Sequence, residues 1–235
     1  MAIAFILLLV SAYLAGSIPT AYLVGRWWRG IDVRQYGSGN VGASNLLRSS
    51  GKWLATVVTI VDIGKGILMV WAAQAAGLSI AQQVAIGLAA IIGHNWPVFL
   101  RFSGGRGVLT TLGVAFFLPL ANGPLVPWPL IISLALVAIF IFGFHNLAVG
   151  TIAGMAALPL VSWLAGEPLA LTLGFLAMLI LMVIRRLTAP KSSLTASVPT
   201  GELLVNRLIF DRDIRDKEAW IYRKPAQPTP KKEKG

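Results

Sequence analysis

The chain contains no cysteine, and it has only two histidines and nine acidic residues among its 235 residues. The absence of cysteine excludes disulfides, thiolate zinc sites, cysteine-ligated iron–sulfur clusters and cysteine nucleophiles. With so few imidazoles and carboxylates, the usual ligands of zinc and calcium are scarce. We therefore expect neither a metal site nor any other cofactor.

Charged residues are also scarce, at 12% of the chain, about half the share of about 25% that is typical of soluble domains. Hydrophobic residues make up 56% of the sequence and the mean hydropathy is +0.75. The apolar residues occur in long unbroken runs, which is typical of membrane-spanning helices. The sequence therefore predicts an all-α integral membrane protein, folded as a seven-transmembrane-helix bundle.

Seven apolar segments define the predicted spans, of which the fourth and sixth are short. They lie near residues 3–25, 53–76, 80–100, 107–121, 128–146, 150–165 and 168–187. No basic segment precedes the first run, which favours a retained helix over a cleaved signal sequence. We expect residues 1–190 to form the membrane domain and 191–235 a basic cytoplasmic tail. In that tail, 203–222 would lie along the membrane surface and 225–235 would be disordered.

The basic residues predict the orientation of the bundle. Apart from Lys65, every lysine and arginine falls in the loop after span one, in the loop after span three, or from Arg185 onward. The positive-inside rule then places both loops and the C-terminus in the cytoplasm and the N-terminus outside. The net charge of +11 therefore reflects topology and attraction to anionic lipids and phosphorylated substrates, and we expect no nucleic-acid binding.

Both basic loops are rich in glycine. The first contains the run 37–48, GSGNVGASNLLR, and the second the run 103–111, SGGRGVLTT. Glycines allow backbone N–H groups to approach an anion, and the hydroxyls and guanidinium groups add donors. Small residues can instead serve only to pack helices. Two such loops on one side, each with an arginine, favour an anion site. The GxGxxG pattern at 37–42 lacks the preceding strand of a dinucleotide site.

Two charged residues lie inside the second span. Asp62 and Lys65 are three residues apart, so their side chains can face each other on a helix. A charge at membrane depth is costly unless it is paired or lines a polar cavity. We interpret the two as an internal ion pair rather than as catalytic groups. For His94 and His145 a structural role is also favoured over that of a base, and the chain has no GxSxG nucleophile elbow.

Five segments of the sequence resemble a known family. They are residues 16–22 (GSIPTAY), 32–45 (DVRQYGSGNVGASN), 62–66 (DIGKG), 93–100 (GHNWPVFL) and 102–108 (FSGGRGV). Together they resemble the PlsY family of bacterial acyl-phosphate:glycerol-3-phosphate acyltransferases. The first two segments form a long and specific motif.

The resemblance implies a seven-helix enzyme of the bacterial plasma membrane with its active site at the cytoplasmic face. It would transfer a fatty acyl group from an acyl phosphate to the 1-hydroxyl of glycerol 3-phosphate, giving lysophosphatidic acid and inorganic phosphate for phospholipid biosynthesis. Neither a metal nor a thioester donor would be required. The partners would be these two substrates and membrane lipids, and we expect a monomer.

The residues and the resemblance together define the candidate site. The substrate-binding and phosphate-binding candidates are Gly37, Ser38, Gly39, Asn40, Gly42, Ser44, Asn45, Arg48, Gly104, Gly105, Arg106 and Gly107. The catalytic candidates are Arg106, Ser38 and Asn146.

Three departures from the family keep an alternative open. Arg106 stands where the family usually has lysine, the stretch 145–150 lacks the family's serines, and no histidine follows His145. The alternative is a membrane paralogue that uses another acceptor, or that binds acyl phosphate or phospholipid without catalysis.

Overall fold

The fold was obtained as a computed structural model that describes residues 1–123, 127–190, 195 and 198–222. Within these ranges the chain is helical and contains no strand, which confirms the predicted all-α class. The helices are α1 (Ala2–Ser17), α2 (Thr20–Arg29), α3 (Ala43–Ser50), α4 (Lys52–Ala75), α5 (Ile80–Asn95), α6 (Val108–Asn122), α7 (Trp128–Phe142), α8 (Leu147–Leu164), α9 (Leu169–Leu187), α10 (Thr200–Phe210) and α11 (Lys217–Ile221). Two 3₁₀ turns cover Val33–Gln35 and Val98–Leu100.

The first predicted span is divided into α1 and α2. Pro19 has no N–H to donate and disfavours helical geometry at the preceding residue, so Ile18 is extended (φ −61°, ψ 112°). The carbonyl oxygen of Ile18 accepts a hydrogen bond of 2.6 Å from Nζ of Lys65. A buried lysine of α4 therefore donates a hydrogen bond to the carbonyl group at the break between the two helices.

Among the described residues, five helical segments are long and apolar enough to cross a membrane, counting α1 and α2 together, and α6 and α7 are shorter apolar helices. The predicted end of the fifth span and the predicted start of the sixth differ from the structure by a few residues. The side chain of Asn146 accepts a hydrogen bond of 3.1 Å from the backbone N–H of Val149. This cap starts α8 at Leu147, and α7 ends at Phe142.

Close backbone contact holds α1 against α5. A Cβ atom on Gly16 would collide with the carbonyl of Ala90, and one on Gly93 would collide with the carbonyl of Tyr13. Small residues at such crossings let helices in a membrane approach closely. A larger apolar core joins α4, α5, α6, α7, α8 and α9 around the fully buried Phe175. The helices therefore form one packed bundle from which the loops emerge.

The described C-terminal segment packs against the bundle. Arg207 of α10 lies 2.8 Å from Asp213 and donates a hydrogen bond of 2.7 Å to the carbonyl of Leu187, at the end of α9. Arg186 in turn donates to the carbonyl of Leu208 over 2.8 Å. Residues 198–222 are thus fixed to the end of α9. The disordered end predicted for 225–235 lies outside the described residues.

Candidate functional site

The first glycine loop is shaped by one buried amide. Asn45, which is fully buried, accepts a hydrogen bond of 3.1 Å from the N–H of Ser38. Its amide nitrogen donates to the carbonyls of Val33 at 2.8 Å and Tyr36 at 3.0 Å. All three bonds stay within the loop, so the structure places Asn45 as its internal brace.

The other predicted residues of this loop are accessible. Gly37 and Gly39 have left-handed backbone geometry (φ 52° and 67°), which glycine adopts without steric cost. Ser38 and Asn40 are half-buried, whereas Ser44 and Arg48 are exposed on α3. The loop therefore offers hydroxyl and amide donors at the start of α3, where anions are favoured, and Arg48 lies in the last turn of the same helix.

An ion pair lies just before the glycine-rich run of this loop. Arg34 donates to the carboxylate of Asp32, with a shortest distance of 2.7 Å. These hydrogen bonds hold the pKa of Asp32 below its usual value of 3.8. Asp32 is therefore ionised at neutral pH and fixes the turn Val33–Gln35, where it accepts from the N–H of Arg34.

The second glycine loop contacts the first. The N–H of Gly105 donates a hydrogen bond of 3.1 Å to the carbonyl of His94. A Cβ atom on Gly105 would collide with the imidazole of His94 and lie 2.7 Å from the carbonyl oxygen of Val41. Val41 belongs to the first loop, so a glycine backbone is needed where the two loops meet.

The structure reveals a brace on the second loop that was not predicted. Arg185 of α9 is almost fully buried, and it donates to the carbonyls of Gly105 at 2.8 Å and Gly104 at 2.6 Å. The sequence gives only an arginine at the end of an apolar run, which the positive-inside rule already explains. Its contact with residues 80 positions away could not be derived from spacing.

Arg106 points toward the C-terminal segment. Its Nε lies 2.8 Å from the carboxylate of Asp211, and its Nη1 donates to the carbonyl of Arg185 at 3.3 Å. Arg186 lies 4.0 Å from the same carboxylate. Two guanidinium groups thus lie within 4.0 Å of one carboxylate, and the cluster keeps a net positive charge beside the glycine loops. Asp211 was not among the predicted residues.

The predicted ion pair of α4 is confirmed. Nζ of Lys65 lies 2.8 Å from Oδ1 of Asp62, and both side chains are buried. His94 extends this polar group, because its Nδ1 lies 3.9 Å from Asp62 and 3.3 Å from the hydroxyl of Thr110. The opposite edge of the imidazole faces Gly105. A chain of buried polar residues therefore connects α4 to the second loop.

A small pocket lies where these elements converge. It is lined by Gly16, Ser17, Ile18, Pro19, Thr20, Val41, His94, Pro97, Gly104 and Gly105. The hydroxyl of Ser17 is buried and has no hydrogen-bond partner among the described residues. The pocket therefore brings hydroxyl, imidazole and glycine backbone groups together.

Asn146 lies apart from the two glycine loops in its hydrogen bonding. Its side chain caps α8, and it forms no hydrogen bond with Arg106 or Ser38 in the part of the chain that the structure describes. Its catalytic role stays a prediction. Within the same ranges, His, Asp and Glu side chains form no group of three or more that could hold a metal ion.

Comparisons with known proteins agree on one family. A family model described as glycerol-3-phosphate acyltransferase matches residues 6–195. The chain is 44% identical over 238 residues to glycerol-3-phosphate acyltransferase 5 of Dehalococcoides mccartyi, covering 98% of this chain and 99% of that relative. It is also 44% identical to glycerol-3-phosphate acyltransferase 4 of another strain of that species, covering 94% and 95%.

Two solved structures have the same fold. Both are crystal structures of PlsY, an integral membrane glycerol 3-phosphate acyltransferase, one in a glycerol 3-phosphate form and one in a lysophosphatidic acid form. The TM-scores are 0.69 and 0.66, each at 29% identity. The similarity covers 77% of this chain in both cases, and 88% and 87% of the respective PlsY chains.

Proposed function

The chain belongs to the glycerol-3-phosphate acyltransferase family, and on that premise we propose that it transfers a fatty acyl group from an acyl phosphate to the 1-hydroxyl of glycerol 3-phosphate. The resemblance to PlsY that the motifs predicted is thereby confirmed. The products are lysophosphatidic acid and inorganic phosphate. The protein is a multi-pass membrane acyltransferase.

The contact between the two glycine loops carries this proposal. Gly105 packs against Val41 and His94, so backbone from both loops lines one pocket. Arg106 follows directly in the chain, in a cluster with excess positive charge. Both substrates carry a phosphate group, and such a site stabilises phosphate oxygens through guanidinium and backbone donors.

The proposed reaction needs little chemistry from the protein. The acceptor hydroxyl attacks the acyl carbonyl, a C–O bond forms to the acceptor, and the C–O bond to the phosphate breaks. The released phosphate takes up the proton that the hydroxyl loses, so no dedicated base is required. The chain supplies orientation of the two substrates. Arg106 and backbone N–H groups stabilise the negative charge that develops as phosphate leaves.

We further propose that all seven apolar helical segments cross the membrane, with the N-terminus outside and both glycine loops and the C-terminus in the cytoplasm of a bacterial cell. The 15-residue helices α6 and α7 can cross the membrane where the bilayer is locally thinner or where the residues that flank each helix reach the interface. The distribution of lysine and arginine supports this orientation. Cysteines introduced singly at Gly77, Gly166 and Gly201, followed by labelling of intact cells, would test it. Only the first two should react with an impermeant reagent.

Turnover by the purified protein tests the proposed function directly. The protein in lipid vesicles should form lysophosphatidic acid and release phosphate when it is given palmitoyl phosphate and labelled glycerol 3-phosphate. Arg106→Ala should lose most of this activity, whereas Arg106→Lys should retain part of it because a cation remains. An inactive wild-type protein that is folded and inserted would contradict the proposal. Product from other small alcohols only would reassign the acceptor.

A further inference from the structure

The C-terminal segment delivers a carboxylate to the second glycine loop. Asp211 follows α10 directly and has left-handed backbone geometry (φ 53°, ψ 38°), which aspartate tolerates better than most residues. Two residues later, the buried Asp213 pairs with Arg207 at 2.8 Å. The turn that presents Asp211 is therefore anchored by its own ion pair.

The contacts of Arg106 engage two of its three guanidinium nitrogens. Nε lies 2.8 Å from Oδ1 of Asp211, and the poor angle of the N–H makes this an ion pair rather than an aligned hydrogen bond. Nη1 donates to the carbonyl of Arg185. In the described part of the chain Nη2 has no hydrogen-bond partner, so one donor group is left for a ligand while Nε and Nη1 are engaged.

The pair does not cancel the positive charge of the site. Arg186 lies 4.0 Å from the same carboxylate, and Arg185 contacts both Arg106 and the loop. One carboxylate against the guanidinium groups of Arg106 and Arg186 leaves the cluster cationic. Asp211 can therefore orient Arg106 without removing the attraction for phosphate.

The same segment also contacts the first glycine loop. A Cβ atom on Gly37 would lie 3.8 Å from the carbonyl oxygen of Ile221, at the end of α11. The family model ends at residue 195, so residues 198–222 add contacts to both loops from beyond the matched region.

We propose that Asp211 is a positioning residue for the acyltransfer reaction, which holds the guanidinium of Arg106 in the orientation that receives a substrate phosphate. The inference rests on the proposed function, because it assigns Arg106 to the phosphate of that reaction. A lysine at 106 would need no such support, since its ammonium group is a point charge without a planar fork. Arginine at 106 and aspartate at 211 then act as one unit.

Asp211→Asn tests the role of the carboxylate with little change in shape. We expect kcat/KM to fall about 10- to 100-fold, since a small misplacement of a catalytic group can cost about 100-fold. Asp211→Glu should recover part of the loss. Glu202→Gln is the matched control, because it removes one negative charge from the exposed face of α10. It should leave the activity unchanged.

A double-mutant cycle separates positioning from a structural role. If Asp211 acts through Arg106, Asp211→Asn should reduce activity by less than about threefold in the Arg106→Lys background. Equal fold-losses in both backgrounds would show that Asp211 only supports the fold, and would overturn the inference. Wild-type-like activity of Asp211→Asn would do so too. An inactive wild-type protein would instead contradict the proposed function, and the inference with it.

Discussion

Arg185 binds the second glycine loop through two carbonyl oxygens, with Nε 2.8 Å from the oxygen of Gly105 and Nη2 2.6 Å from that of Gly104. A planar guanidinium presents two N–H groups to both acceptors in a fixed fork, whereas a lysine ammonium is a point charge on a flexible stem. The contact fixes the orientation of two successive peptide planes. It therefore sets which way the loop presents its backbone to the pocket beside His94.

Replacing Arg185 should damage both the loop and the activity. Arg185→Ala leaves two buried carbonyls unsatisfied, at a cost of about 1–3 kcal/mol for each. Arg185→Lys can restore one bond and should fall between the wild type and the alanine variant. Thermal unfolding in detergent and kcat/KM measure the two effects. The exposed Arg215 supplies the control, and an Arg185→Ala protein as active as Arg215→Ala would contradict the prediction.

Gly105→Ala should disrupt the contact between the two glycine loops. Its Cβ would collide with His94 and lie 2.7 Å from the carbonyl oxygen of Val41, so one loop must move. We expect activity to fall by about 100-fold or more, because the misplaced groups are those of the site. Gly201→Ala is the matched control, since nothing lies within 4 Å of its added methyl group. Similar activities of the two variants would show that the loops tolerate separation.

Asn45→Ala should collapse the first loop. The substitution removes one acceptor for Ser38 and two donors for Val33 and Tyr36. We expect weaker binding of the phosphate-bearing substrates, measured as a raised KM, together with a loss of about 2–4 kcal/mol in stability. Ser49→Ala, which removes a hydroxyl bonded to a carbonyl of the same helix, should have a small effect. Unchanged KM values in Asn45→Ala would contradict a bracing role.

The pair of Asp62 and Lys65 should behave as a unit. Removing one partner leaves a buried charge uncompensated and should cost about 3–5 kcal/mol, whereas removing both is often close to neutral. Asp62→Asn and Lys65→Met are therefore each expected to destabilise the protein more than the double variant does. Lys65→Met also releases the carbonyl of Ile18, so it should be the more harmful single change. Additive losses in thermal unfolding would argue against coupling.

The contribution of Asp32 to the stability of the folded protein should decrease as the pH falls. Hydrogen bonds from Arg34 lower its pKa below 3.8 in the folded protein, so the folded state favours the ionised form. The resulting stabilisation is present above the unfolded pKa and is lost as the pH falls through the lower folded value. Asp32→Asn should therefore lower the melting temperature at pH 7 and lower it by less near pH 3, which is below the unfolded pKa of 3.8. An effect of equal size at both values would exclude the ion pair as its cause.

Some features followed from sequence because they depend on local spacing. The apolar runs predicted the helices, and the three-residue spacing on one helix predicted the ion pair of Asp62 and Lys65. The limits of α7 and α8 were misplaced because the capping role of Asn146 was not recognised. The break at Pro19 was also missed, although proline before a helical run was a usable signal. The catalytic role of Asn146 stays a prediction.

The sequence by itself determined the membrane class, the two cationic glycine loops and the family, since composition and short motifs carry that information. Only the tertiary structure decided how the loops meet, with Gly105 against Val41, and which distant groups hold them. Arg185 lies 80 positions beyond Gly105, and Asp211 reaches Arg106 from a later helix. Helical periodicity fixes neighbours within a turn or two, whereas contacts between helices arise from how whole surfaces pack.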